Sequence, residues 1–384
     1  MKESLVITGA GVVSALGCGK AASLEALRSG RSGIGPIRYL ETSQKEFPVG
    51  EAPLSNGELA ALAGAPDNWP RTTLLSVVAL QEALQEAGLI PQNCGAIPLI
   101  GGTTVGGMDL TEKVFPGYSP WHSCGASTDL AARFFGFAWA TTLSTACSSA
   151  ANALIYGAHL LRCGRYEQVV VGGSESLSNY HLNGFNSLMI LDREPCRPFD
   201  ATRAGLNLGE GAAYLVLETE ASAIKRGARI LARLSGYGNA CDAFHQTASS
   251  ENGEGAFLAM QQALSMAGLE PAQIDYVNAH GTGTPNNDAS ESTALRRIFP
   301  GGLPPVSSTK PFTGHTTSAS GSIEAVFCLL ALQHGFVPPQ LNWRTPDPSC
   351  LQPCCEAREA SLRHILTNAF GFGGNDSSFI LSRP

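Results

Sequence analysis

Short apolar runs alternate with segments of helical period along almost the whole chain, and this alternation restricts the fold more than any other feature. Leu5–Thr8, Ile97–Ile100, Gln168–Val171 and Tyr214–Leu217 read as buried strands, as do Tyr276–Asn278, Val306–Ser308, His364–Leu366 and Ser378–Leu381. Helices lie between them. One starts near Lys20, with Leu24 and Leu27 inside and Gly30 as its stop; another runs from Arg71, with Leu74, Val77, Leu80 and Leu84 on one face, closed by Gly88 and Pro91. Gly255–Met266, Asp288–Ile298 and Ser320–Gln333 continue the pattern. Such alternation predicts an α/β fold of layered sheets and helices. At 384 residues the chain exceeds the usual size of one core, so two units are expected, residues 1–225 and 226–384. Repetition between the two halves is faint.

Gly9-Ala10-Gly11 invites a dinucleotide-binding reading, but a third glycine and a prompt helix are not in place, so the pair is read as a tight turn. Residues 31–70, rich in Gly, Pro and Ser, read as excursions over the core. Lys225-Arg226-Gly227-Ala228-Arg229 reads as a solvated helix end. Only 15% of residues are charged, against about 25% in an ordinary domain, so a large core or a subunit interface must hide much of the surface. A net charge of −7 argues against a nucleic-acid partner, which calls for a basic face. No apolar run reaches the ~18 residues of a membrane span, no secretory pattern opens the chain, and a cytoplasmic protein is expected. An odd number of cysteines, eleven, with irregular spacing indicates free thiols, and Cys350 to Cys355 lacks the paired spacing of a zinc site, so no metal is expected.

The chemistry points to Leu143–Leu154, where an apolar run meets Cys147 and then becomes a helix of small residues ending before Cys163. A thiol at a helix start feels free N–H groups and the positive end of the dipole, which lowers its pKa and offers a hole for an oxyanion. Downstream, Asn278–Pro285 and Ser307–His315 each place a histidine, His280 and His315, in a Gly/Thr/Ser-rich turn after a strand.

Thr-Ala-Cys147-Ser-Ser, His280-Gly-Thr-Gly-Thr, Lys310-x4-His315 and Asn368-Ala-Phe-Gly-Phe-Gly-Gly-Asn375 together resemble the β-ketoacyl-acyl carrier protein synthases. Val6–Gly11, Arg197–Asp200, Gly209–Ala212 and Asp242–His245 extend the likeness nearly end to end, although Ala204 and Leu206 stand where the family usually has Asp and Phe. The resemblance implies the thiolase-like fold, two related α/β halves in an α-β-α-β-α arrangement. It implies decarboxylative Claisen condensation in fatty acid, polyketide or polyene elongation. Cys147 would take the acyl chain, with the N–H groups of Cys147 and Phe372 holding the oxyanion. His280 and His315 would stabilise the enolate formed from malonyl-carrier protein, and the Lys310/Glu324 pair would organise the histidine. Thr282 and Thr284 would bind the pantetheine arm, Phe372 would gate the acyl pocket, and Val105 and Phe185 would join the substrate-binding set.

The same resemblance implies no cofactor beyond the phosphopantetheine arm of an acyl carrier protein. A thiolase would use a second Cys as base where His315 stands, and a type III polyketide synthase would show Cys, His and Asn. A chain-length-factor-like subunit with little activity of its own is the alternative, though such subunits have generally lost the Cys. The segment before Cys147, Met108–Trp139, is shorter than usual; its Phe134, Phe135, Phe137 and Trp139 are candidates to fill a pocket or a core. Asn56–Pro70 and Asn186–Leu191 carry no Lys or Arg where an acidic carrier would dock. The chain is therefore expected to work as a dimer, with an identical copy or with a homologous subunit that supplies basic surface.

Overall fold

The computed structural model describes residues 3–90 and 94–384. The first half runs through β1 (Leu5–Ser14), β2 (Gly17–Cys18), α1 (Gly19–Ser29), α2 (Asn56–Ala63), α3 (Arg71–Glu86), β3 (Leu99–Gly102), α4 (Met108–Val114), α5 (Gly125–Phe135), β4 (Ala140–Leu143), α6 (Ser149–Arg162), β5 (Gln168–Glu175), α7 (Asn179–Ser187), β6 (Gly211–Thr219) and α8 (Glu220–Lys225). The second has β7 (Ala232–Cys241), α9 (Glu254–Ala267), β8 (Tyr276–Asn278), α10 (Pro285–Ile298), β9 (Val306–Ser307), α11 (Lys310–Thr313), α12 (Ser320–His334), β10 (Phe336–Val337), β11 (Arg358–Glu359), β12 (His364–Gly371) and β13 (Asn375–Ser382).

The main strands follow the order β4-β3-β5-β6-β1-β7-β13-β12-β8-β9, so the second half repeats the first outward from the β1/β7 junction. That junction is narrow, pairing Val6 with Arg233 and Ile7 with Ala232. Side chains alternate across the strands. In β6, Ala213, Leu215 and Leu217 face a central core built on α6 and α12, while Ala212, Tyr214 and Val216 face α3 and α5. In β12 and β13, Ile365, Phe379 and Leu381 join the same central core, and Leu366, Phe370 and Ile380 face α9 and α10. The layers are therefore α-β-α-β-α, with α6 and α12 buried in the middle.

Three expectations need correction. Gly9 and Gly11 do not turn the chain; they lie within the ten-residue β1, where a Cβ would collide with the carbonyl oxygens of Ala83 and Ala79 in α3. Gly236 and Gly238 in β7 meet the carbonyls of Ala263 and Ala259 in α9 in the same way. Each glycine pair lets a helix lie directly on its strand, and a methyl group there costs about 1–3 kcal/mol by overpacking. The repeat is legible once the pairs are aligned: Ala79–Leu89 reads ALQEALQEAGL and Ala259–Leu269 reads AMQQALSMAGL. Second, α2 lies within the supposed excursion, started by a capping box between Ser55 and Glu58. Third, Arg226 is not a solvated helix end: it bonds Glu218 with both Nε and Nη2 and donates to Ala87 O at 2.6 Å.

The α3 helix ends at Glu86 with Gly88 at φ +67°; Pro91, its expected stop, lies outside the described residues. Phe135 and Phe137 pack with Trp69 and Phe134 in the core under α3, not in a pocket. The expected catalytic groups follow the carboxyl ends of β4, β8, β9 and β12, which brings four distant parts of the chain together.

Candidate active site

Cys147 sits just before α6, which begins at Ser149, two residues later than the small-residue pattern indicated. Ala146 takes φ +52°, and Ser148 and Ser149 N–H groups bond back to Thr145 and Ala146 carbonyls, so the chain bends sharply and presents the thiol from a fixed turn. Gly371 faces this turn: a Cβ there would stand 2.9 Å from Thr145 O and 3.1 Å from Cys147 N, so only a bare backbone lets the Phe372 loop come so near. The N–H groups of Phe372 and of Cys147 itself both point at the sulfur. Two N–H groups so placed have the chemistry to hold an oxyanion.

His315 Nε2 lies 3.0 Å from Cys147 Sγ, and Ser320 Oγ lies 3.1 Å from His315 Nδ1. Gly314, at φ +71°, allows this turn to lie on Leu208, while His315 N–H donates to Asn207 O at 2.7 Å. His280 stands beside it, the two rings 5.4 Å apart and nearly perpendicular. Lys310 Nζ donates to Glu324 at 2.7 Å and approaches His280 Nδ1 at 3.3 Å. The expected Lys/Glu pair is formed, and it lies against His280 rather than His315. An ammonium has donors only, so His280 Nδ1 must accept and its proton is assigned to Nε2. Ser320, by contrast, can donate to or accept from His315 Nδ1, and His315 is free to use either tautomer.

Burial sets the charge states. Both imidazoles are pushed well below the usual histidine range, first by burial and then by Lys310, so both are neutral donors or acceptors near pH 7. The Cys147 thiol is pushed up to about 12 by burial, which outweighs Lys310 and the two N–H groups. The thiolate expected from the helix start is therefore not the resting form; the group rests as a thiol beside His315. Glu324 is raised to about 7 by burial even with Lys310 beside it.

A cavity of 330 Å³ opens onto these groups. Cys147, His280, His315, Thr282, Thr284, Phe185 and Phe372 all line it, with Thr282 and Thr284 hydroxyls 2.8 Å apart and the Phe185 and Phe372 rings stacked at 6.0 Å. Val105 does not line it; its N–H donates to the buried Glu175 instead. The sequence reading also missed two carboxylates on α10. Glu291 accepts from the N–H groups of His280 and Gly281, both at 2.8 Å, and Asp288 from those of Thr282 and Phe199. Their signal was present: acids three residues apart on the first turns of a helix that follows the His-Gly-Thr-Gly-Thr turn.

The beta-ketoacyl synthase N-terminal domain matches residues 2–223 and the C-terminal domain residues 231–344. Nodulation protein E of Rhizobium meliloti strain 1021 is 36% identical, with 98% of each chain covered. The 3-oxoacyl-[acyl-carrier-protein] synthase 2 of Coxiella burnetii is 33% identical, covering 100% of this chain and 99% of the relative. Among solved structures, the ishigamide ketosynthase/chain length factor superposes with a TM-score of 0.91 at 32% identity over the whole of both chains. These matches run through both halves and through the turns that carry the cysteine and the first histidine, and the chain belongs to the beta-ketoacyl synthase family, the condensing enzymes of type II fatty acid and polyketide assembly.

Proposed function

We propose that this ketosynthase works through Cys147, His315 and His280 in two steps with different demands on the two histidines. The observation that carries the assignment is the 3.0 Å contact between Cys147 Sγ and His315 Nε2 under the N–H groups of Cys147 and Phe372. In the first step His315 takes the thiol proton as the sulfur attacks an acyl thioester; the oxyanion sits on the two N–H groups, and the carrier thiol leaves with that proton. In the second, Nε2–H groups of His280 and His315 hold the carbonyl of a malonyl thioester. Carbon dioxide leaves, the enolate carbon attacks the acyl-Cys147 carbonyl, and the Cys147 sulfur departs as a thiolate that takes its proton from solvent. A neutral imidazole suits this step, because it stabilises the enolate without quenching it.

Thr282 and Thr284, at the cavity wall, bind the pantetheine arm of an acyl carrier protein; Phe372 gates the acyl side and Phe185 packs on it. Val105 contributes no wall to the cavity of a single chain. The working unit is a dimer, with a homologous subunit favoured over a second copy. Arg71, the first basic residue after Asn56–Pro70, is buried against Glu210 and adds nothing to a basic docking face. The ishigamide structure, a ketosynthase with a chain length factor, supports the same pairing. No described helix is long and apolar enough to cross a membrane; the free thiols of Cys147, Cys163, Cys241 and Cys355 support a reducing cytoplasmic setting. Incubation of the purified chain, alone and with a co-expressed homologous subunit, with acyl- and malonyl-carrier proteins tests the proposal. It predicts β-ketoacyl product with matching carbon dioxide release; malonyl decarboxylation with no condensation product under either condition would refute it.

A further inference from the structure

His181 has no part in the chemistry above, yet it is 6% exposed and stands behind the cavity wall. It lies on the first turn of α7, whose start is held by Glu112 accepting from Asn179 N at 3.2 Å and Tyr180 N at 3.0 Å. Its ring meets Phe185 edge to face at 6.4 Å, and Phe185 in turn stacks on Phe372 above the nucleophile. Ser178 Oγ accepts from the His181 backbone N–H and lies 3.2 Å from Nδ1, and the Ser176 backbone bonds the ring as well. The imidazole is pinned by its own chain. It is a rigid plug showing its ring to Phe185.

The cavity stops on this side. Its wall includes Phe185 but not His181, and nothing of the Val105 loop beyond. Glu175 stands close by: it accepts the Val105 N–H, and its charge acts on both His181 and Cys147. An acyl chain held on Cys147 and growing past Phe185 therefore runs into a ring fixed by Ser176 and Ser178, where a small residue would leave a continuation.

We propose that His181 is a specificity-determining residue that limits the length of the acyl chain Cys147 accepts. This rests on the reading of Cys147 as the acyl acceptor. The test loads the purified chain from carrier proteins bearing saturated groups from acetyl to dodecanoyl, with intact-mass readout. Wild type loads short groups and falls off sharply. His181→Ala keeps acetyl loading and moves the fall-off to longer chains, by about fourfold in loading for each further methylene buried. His181→Phe, which refills the space without the polar edge, restores the short profile. An acyl-enzyme crystal structure of the wild type with the longest group it accepts adds a check that needs no variant: the terminal carbon rests toward His181. If wild type loads nothing on Cys147, the nucleophile assignment fails and this inference with it. If acetyl loads normally but the length profile of His181→Ala matches wild type, or the bound chain ends elsewhere, the plug alone is refuted.

Discussion

Asp376, which follows the Gly371–Gly374 turn, should make the fold less stable as pH rises toward neutrality, and Asp376→Asn should remove the effect. Asp376 is 4% exposed, and the influences on it are burial followed by the charges of Asp242 and Glu291, with no hydrogen bond among them. Asp242 and Asp376 both abut the space where a Gly255 side chain would stand, and Asp242 already accepts from Ser250 N, Ser250 Oγ and Gly255 N. The donors serve Asp242, so the proton stays on Asp376, which is pushed up from its ordinary 3.8 to about 7. A carboxyl group with a folded pKa above its unfolded value contributes stability that is fully present below pH 3.8 and is lost as pH rises through about 7. At 1.36 kcal/mol per pH unit, that gap sets an upper bound of about 4 kcal/mol. Asparagine keeps the shape and carries no charge. Equilibrium urea unfolding of wild type and D376N at pH 5 and pH 8, with refolding verified, should show the wild type losing about 2–3 kcal/mol more than the variant, since that interval crosses only the part of the gap above pH 5. Glu324 and Asp109 also titrate in this range, but they are common to both proteins and cancel in the difference. Equal pH dependence in the two proteins would refute the reasoning.

His280→Ala should still load Cys147 but lose about 100- to 1,000-fold in decarboxylation, the cost of one donor in such a hole. His315→Ala should lose both half-reactions, since its Nε2 faces a thiol that burial holds up to about 12; single-turnover loading and labelled carbon dioxide release separate the two. Lys310→Met should cost about 3–5 kcal/mol by leaving Glu324 buried without its partner, and should impair decarboxylation more than loading, because His280 loses the donor that sets its tautomer. Thermal melts and the same two half-reaction assays check both parts.

Most of the strands and the long helices were legible because their patterns are local: α3 and α12 carry period and stops, and β8 and β12 are short apolar runs bounded by turns. The extent of β1 was not legible, since glycines that normally mark a turn here serve close packing against a helix distant in sequence. The histidines and the cysteine could be named from their motifs, but their division of labour could not. It depends on Lys310 reaching His280 rather than His315, on Ser320 standing behind His315, and on a burial that reverses the effect of a helix start on the thiol. None of these is a spacing. The surroundings of Val105 were not legible for a similar reason: its N–H donates to Glu175, seventy residues away.

The central claim is that Cys147 carries the acyl group, and site mapping of the acyl-enzyme tests it most directly. The protein is incubated with acyl-carrier protein, quenched in acid, digested and sequenced by tandem mass spectrometry. The account predicts a thioester on the peptide containing Thr145–Ser149, with no stable adduct on the other ten cysteines and none anywhere in Cys147→Ala, whose melting behaviour stays close to wild type. An adduct of equal yield on another cysteine in that folded variant would contradict it.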